Sequence, residues 1–380
     1  MRPKRTKALP VVGLLLAMAG TICSGQVIYV DAANGNDGNN GFSVQTAFAS
    51  IQKGIDMAKD GDTVIVYPGL YIEIINFLGK NITLKSTNPT DSQTVTSTAI
   101  AGGIRFRGTE DPNCALTGFD IDGYIVGFDW QTDPNGENHT RAAISHCVLE
   151  NNTANCGGVM QGCDGTISNC VIANMYPLCL VPWPVPQISG CHGSIKNCTI
   201  VDIPDGIEIL KGGRCTIENC IIYRQSPITV ASGAILNISH CNLEGGLDRI
   251  HGDGTVNWGP GNIDTDPCFV RVGSPAVDGD YHLKSQAGRW DPNTQVLVQD
   301  EVTSPCIDAG DMSGPIGFEP FPNGGIINMG AYGGTIEASR SYFGESVCET
   351  IVAGDIDGNC KVDFEDLAIM GVHWLEDNNR

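Results

Sequence analysis

Between residues 144 and 245 the apolar positions of this 380-residue chain follow one pattern, written five times. The copies are Ile144-Ser-His-Cys147-Val-Leu, Ile167-Ser-Asn-Cys170-Val-Ile, Ile195-Lys-Asn-Cys198-Thr-Ile, Ile217-Glu-Asn-Cys220-Ile-Ile and Ile238-Ser-His-Cys241-Asn-Leu. The cysteines are 23, 28, 22 and 21 residues apart. That period is too short for paired helices and suits a sheet unit that buries its apolar face only by stacking on its neighbours. Strand alternation turns the isoleucine inward, then the cysteine and the final Ile or Leu, around a turn residue. Asn169, Asn197 and Asn219 hold that turn, because asparagine tolerates a left-handed backbone, and stacked amides can bond coil to coil. His146 and His240 occupy the same place and read as polar ladder ends rather than catalytic groups.

A second strand is expected after each ladder cysteine, at Cys156–Val159, Cys179–Val181, Gly206–Ile209 and Pro227–Val230. Earlier coils show at Val27–Val30, Thr63–Tyr67, Ile82–Lys85, Ile104–Phe106 and Leu116–Ile121, which makes about nine coils. Phe48, Ile51, Ile55 and Ala58 lie at helical spacing and predict a short amphipathic helix capping the open end. From Gly259 to Asp311 the regularity fades into irregular terminal coils, with strands expected at Tyr281–Leu283 and Val296–Val298. Residues 341–352 read as a linker.

Composition agrees with a turn-rich solenoid: 48 glycines, 7% aromatic and 17% charged residues. Stacked strands bring equivalent ladder cysteines within ~4.8 Å, but their parallel Cβ vectors keep them from closing bridges. Cys147, Cys170, Cys198, Cys220 and Cys241 are therefore expected as a buried row of free thiols. A bridge is expected off the ladder, for example between Cys348 and Cys360. No Cys-x2-Cys zinc spacing occurs.

The first 25 residues carry Arg2, Lys4, Arg5 and Lys7, an apolar run from Leu9 to Ile22 and small residues before Gln26. This reads as a secretory signal peptide, the run being short of the ~20 residues that a spanning helix needs. A secreted protein, extracellular or at the cell surface and free of the membrane after cleavage, is expected, as a monomer. The net charge of −21 excludes nucleic acid and anionic membranes as natural partners and favours calcium.

Tyr29-Val-Asp, Asn34-Gly-Asn-Asp, Ala47-Phe48, Ile51-Gln52, Gly61-Asp62-Thr63-Val64 and Pro68-Gly69-Leu-Tyr71 resemble the opening of secreted proteins of the pectate-lyase-like superfamily. Residues 313–339 resemble the closing segment of the same class. The resemblance implies an all-β, right-handed parallel β-helix over residues 26–340, with residues 26–71 as helical cap and first coil. It also implies a polysaccharide partner, such as a polyuronate, and polysaccharide degradation by lyase or hydrolase chemistry. Elimination from a uronate needs a base for the proton beside the carboxylate and a cation to neutralise that carboxylate. Asp202, Asp205, Glu208, Lys211 and Arg214 offer both parts within one coil, with Lys211 or Arg214 as base, Glu208 beside them and Asp202 and Asp205 as calcium ligands. Asp120 and Asp122 form a further outward acidic pair. Hydrolysis on this fold is less favoured, since no adjacent Asp pair occurs. The other reading is a non-catalytic solenoid whose long faces bind carbohydrate.

The sharpest motif closes the chain: Asp355-Ile-Asp357-Gly-Asn359-Cys-Lys361-Val-Asp363-Phe-Glu-Asp366, followed by apolar Leu367, Met370 and Trp374. A twelve-residue loop supplies calcium with oxygens from positions 1, 3, 5, 7, 9 and 12. These are Asp355, Asp357, Asn359, the Lys361 carbonyl, Asp363 and Asp366, with a helix expected from Phe364 to Leu375. Residues 353–380 resemble a dockerin repeat, which implies a cohesin-like anchoring partner. Two departures are Cys360 where Gly is usual and one repeat where dockerins carry two.

Overall fold

A computed structural model describes residues 25–129, 131–133, 137–150, 159–173, 186–203, 206–224, 227–275, 278–344, 354, 356 and 362–373. The signal segment, the strands expected at Cys156 and Cys179, Cys348, Cys360 and most of the linker lie outside them.

Each coil runs through three short strands, and like strands stack in parallel. The first sheet has ten, from Val27–Val30 to Thr255–Trp258. Its inner column is Ile28, Val64, Leu84, Leu116, Ile144, Ile167, Ile195, Ile217 and Ile238, in unbroken register and buried. The second sheet stacks Ile100, Ile121, Leu149, Ile172, Ile200, Ile222 and Leu243. The third stacks Ile75, Ile104, Ile125, Met160, Ile188, Ile207, Ile228 and Ile250. Two long strands, Thr98–Arg105 and Asp120–Val126, run through both the second and the third sheet and join them. The architecture is the all-β parallel solenoid that the repeat predicts.

The corner between first and second sheets is as expected. His146, Asn169, Asn197, Asn219 and His240 all have φ between 47° and 54°. The five ladder cysteines behind them are buried free thiols, and their Sγ atoms donate to backbone carbonyls. A second set, Cys163, Cys191 and Cys215, is buried near the opposite corner and was not foreseen. The N-terminal helix, α1 (Ile51–Met57), buries Ile51 and Ile55. Side chains of later residues close both its ends. Glu73 accepts from the N–H groups of Ile51 and Gln52, and the Lys80 ammonium donates to the carbonyls of Ile55, Asp56 and Ala58.

The terminal region departs from expectation. It does not continue as coils but folds back over the outer face of the second sheet. That face carries Val148, Val171, Val201 and Ile221, which are apolar and need a cover. Phe269, Tyr281, Leu283, Met329 and Ala331 supply it. The turn asparagines serve this cover more than one another. Asn169 donates to the carbonyls of Ala331 and Gly333 at 3.0 and 2.8 Å, Asn197 to that of Asn328, and Asn219 accepts from the Asp311 N–H. The hydrogen bond that the Asn219 amide donates to Asn197 Oδ1 is long, 3.5 Å.

At the centre of the cover His282 is fully buried, with Nδ1 2.7 Å from Asp280, Nε2 3.2 Å from Glu337 and its ring stacked on Tyr332. Burial works against its proton, but the two carboxylates prevail and raise its pKa. Burial also pushes Glu319 up to about 8 and Asp308 to about 7; Asp120, outward on the second sheet, reaches about 7 through burial and then Glu150 and Asp122. A raised folded pKa means stabilisation complete below the unfolded value and lost as pH rises through the folded one, and all four groups act in this sense. Asp280, held low by the His282 hydrogen bond against burial, loses its contribution only as pH falls below the carboxylate range. The thermal midpoint should therefore fall between about pH 6.5 and about pH 8, the window above that in which the depressed His146 and His192 act in the opposite sense. A flat or rising profile by differential scanning calorimetry would contradict this placement of charges.

Candidate functional site

With the second sheet sealed on both faces, an open strand surface remains on the first and third sheets. The first sheet presents small polar side chains already paired to one another, such as Ser145 with Thr117 and Lys196 with Glu218. The third sheet presents the column Asn76, Arg105, Val126, Gln161, Ser189, Glu208, Thr229 and His251. At its N-terminal end lies a cavity of about 390 Å³ lined by Asn76, Arg105, Arg107, Tyr124, Phe128 and Asp129, among others. The strand Thr98–Arg105 aims Arg105 outward, and the next coil places Tyr124 beside it. The Arg105 guanidinium donates twice to the Tyr124 hydroxyl, at 3.0 and 2.6 Å. Arg107 is half exposed and stands 3.9 Å from Asp129, a loose pair that leaves its charge available. Two guanidinium groups, that of Arg105 lying over the Tyr124 ring, thus line one recess of a strongly acidic chain.

Phe128 links the cavity to the turn between third and first sheets, where its ring lies 5.9 Å from that of His139. Here successive coils bring His139, Asp164 and His192 together. His139 Nδ1 is 3.0 Å from Asp164 Oδ1, which also accepts the His192 backbone N–H at 2.9 Å. Burial acts to raise the Asp164 pKa, yet the His139 bond and that N–H hold it below the usual range. Burial, and to a lesser degree His139, push the His192 pKa down although Asp164 opposes this.

The residues expected to form a lyase centre are spread round the coil. Asp202 sits with φ 53° after a second-sheet strand, at the far end of the Ile207–Ile209 strand from Lys211, and pairs with Arg224 at 3.2 Å. Glu208 faces out from the third sheet beside Ser189, and Arg214 is exposed at the start of a first-sheet strand. No hydrogen bond or ion pair joins any two of Asp202, Glu208, Lys211 and Arg214. Asp205 lies outside the described residues. Asp202, Glu208 and Arg214 thus stand at different places round the coil, whose three sides separate residues only a few positions apart. The pair Asp120 and Asp122 is outward as expected, but Asp120 is buried. Sequence reasoning passed over Arg105, Tyr124 and His139, which have no shared motif and meet only through stacking.

In the tail, Asp355, Asp357, Asn359 and Lys361 lie outside the described residues. Asp363 and Asp366 stand at the start of α2 (Phe364–His373). Asp366 is buried, and its two oxygens accept the N–H groups of Ile356 and Asp363, tying these two residues to the helix.

Residues 186–262 match the sequence family described as right handed beta helix region, and residues 247–310 match one described as disaggregatase related. The fold is thus a right-handed parallel β-helix. Among solved structures, a pectate lyase, Pel9A, aligns with a TM-score of 0.37 at 12% identity, over 82% of this chain and 97% of that one. A rhamnogalacturonan lyase aligns with a TM-score of 0.27 at 16% identity, over 66% and 65%. No curated protein matches the sequence.

Proposed function

We propose that this chain is a secreted carbohydrate-active protein that binds an acidic polysaccharide, of polyuronate type, along the third sheet and cleaves it by elimination. The observation that supports this most is the cavity where Arg105, Arg107 and Tyr124 converge. A sugar carboxylate held by Arg107 would have its charge neutralised, which acidifies the adjacent C–H. The Tyr124 oxygen, already accepting two N–H groups from Arg105, is the group in the cavity placed to take that proton. Acting as the phenolate, Tyr124 then holds that proton as its hydroxyl; the electron pair forms the ring double bond and expels the glycosidic oxygen, which takes the proton up from the Tyr124 hydroxyl and restores the phenolate. Oligogalacturonate or another oligouronate should bind the parent, and Arg107→Ala should weaken binding about tenfold, ~1.4 kcal/mol. Tyr124→Phe should keep the binding and lower formation of the ultraviolet-absorbing unsaturated product by about a hundredfold. Absence of binding to any polyuronate would overturn the reading. Binding without product would favour the non-catalytic carbohydrate platform.

The tail reads as a calcium-dependent docking element. Six oxygen donors in twelve residues suit one calcium ion, and the Asp366 carboxylate accepts the N–H groups of Ile356 and Asp363 at the start of α2. Phe364, Leu367 and Met370 leave apolar surface exposed on that helix, as a cohesin-like partner would require. Helices this short are marginal alone. Millimolar calcium should therefore slow amide exchange across residues 364–373 of the full chain, and an Asp355→Ala, Asp366→Ala double variant should abolish the effect. Equal exchange with and without calcium would show an acidic turn without metal.

A further inference from the structure

The turn from the third sheet to the first is built around its imidazoles. Stacking fixes the backbone: Thr140 bridges Cys163, the Asp164 N–H donates to the Thr140 carbonyl at 2.8 Å, and the Ser194 N–H to that of Gly165 at 3.1 Å. His139 Nδ1 and His192 Nδ1 then lie 3.0 and 3.7 Å from the same Asp164 oxygen, with ring centroids 5.4 Å apart. One donor atom from each of the three residues falls within 4.8 Å of the other two. Glycines make the room. A Cβ on Gly213 would stand 2.1 Å from the His192 ring, and one on Gly162, where φ is +63°, 3.0 Å from that of His139. His192 Nε2 is sealed from solvent with no hydrogen-bond partner, so hydrogen bonding through that nitrogen does not hold the ring in place.

We propose that His139, Asp164 and His192 bind one divalent first-row transition-metal ion, zinc foremost, with its remaining positions open to solvent. Two imidazoles and one carboxylate suit zinc and its neighbours, whereas calcium asks for six or more oxygens. Metal–ligand bonds of about 2.1 Å place neighbouring donors roughly 3.0–3.4 Å apart, close to the two separations found. The side chains are 11%, 30% and 17% exposed, which leaves one side open for water or substrate. A His139–Asp164 hydrogen bond alone accounts for neither the glycine at 213 nor the placing of His192. The other cluster of this kind among the described residues, Glu218, His240 and Asp311, has a single imidazole, and its carboxylates are engaged by Lys196 and Ser313.

Resting on the polyuronate reading, the ion would stand beyond Phe128 at one end of the groove and draw a second sugar carboxylate. The test is calorimetric titration of zinc chloride into chelator-treated full-length protein with calcium kept saturating. One zinc ion per chain is expected, with affinity at least tenfold weaker in His192→Gln and in Asp164→Asn and unchanged in Asp363→Asn. Cobalt(II) should give a visible ligand-field band that His192→Gln removes, which reads the imidazole directly. No zinc uptake, or uptake and band unchanged in His192→Gln, would overturn the site, including the case of zinc held by the cysteines. Intact zinc binding with no uronate affinity would overturn the groove reading and leave the metal site standing.

Discussion

A coil of this solenoid owns no core. Each of its three strands turns only one or two side chains inward, and those are dry only because the coil above and the coil below place an equivalent side chain in register. The column from Ile28 to Ile238 is the plainest case. Removing one such isoleucine to alanine leaves a hole that the stack cannot close, worth ~2–5 kcal/mol. The left-handed turn at His146, Asn169, Asn197, Asn219 and His240 keeps register by bending the chain at the same place in each coil, and the cysteine behind it fills the corner at little volume.

The same register decides what the outside can do. Stacked strands line up outward residues as faithfully as inward ones, so outward side chains gather in columns that run across coils. On the second sheet Val148, Val171, Val201 and Ile221 form an apolar stretch beyond the acidic Asp120 and Asp122, and the C-terminal region orders itself by covering that stretch. On the third sheet the outward column is mostly polar, and coils that are 19 to 28 residues apart in sequence bring Arg105 to Tyr124, His139 to Asp164 and Asp164 to His192. Chemistry on such a fold is assembled across coils rather than within one.

This explains what was legible in the sequence. The repeat declares its architecture because Ile, Asn and Cys answer to local demands, burial, a left-handed turn and a small corner, which recur in each copy. The cover was also signalled, in hindsight, by doubled apolar residues: Val171-Ile172 and Ile221-Ile222 mark strands buried on both faces, whereas strict alternation accounts for only one. The site was not legible because its parts obey no shared spacing. Asp202 to Arg214 looked like a site through nearness in sequence, and nearness along a coil means facing different ways.

The second sheet is sealed and the third is open, and two outward positions compare them directly. Val201 is fully buried beneath the C-terminal cover, while Thr229 is exposed on the third sheet. The measurement is the unfolding free energy of Val201→Asp and Thr229→Asp by denaturant titration. A loss of more than about 3 kcal/mol for the first, against less than about 0.5 kcal/mol for the second, is the expected result. Equal costs would contradict the arrangement.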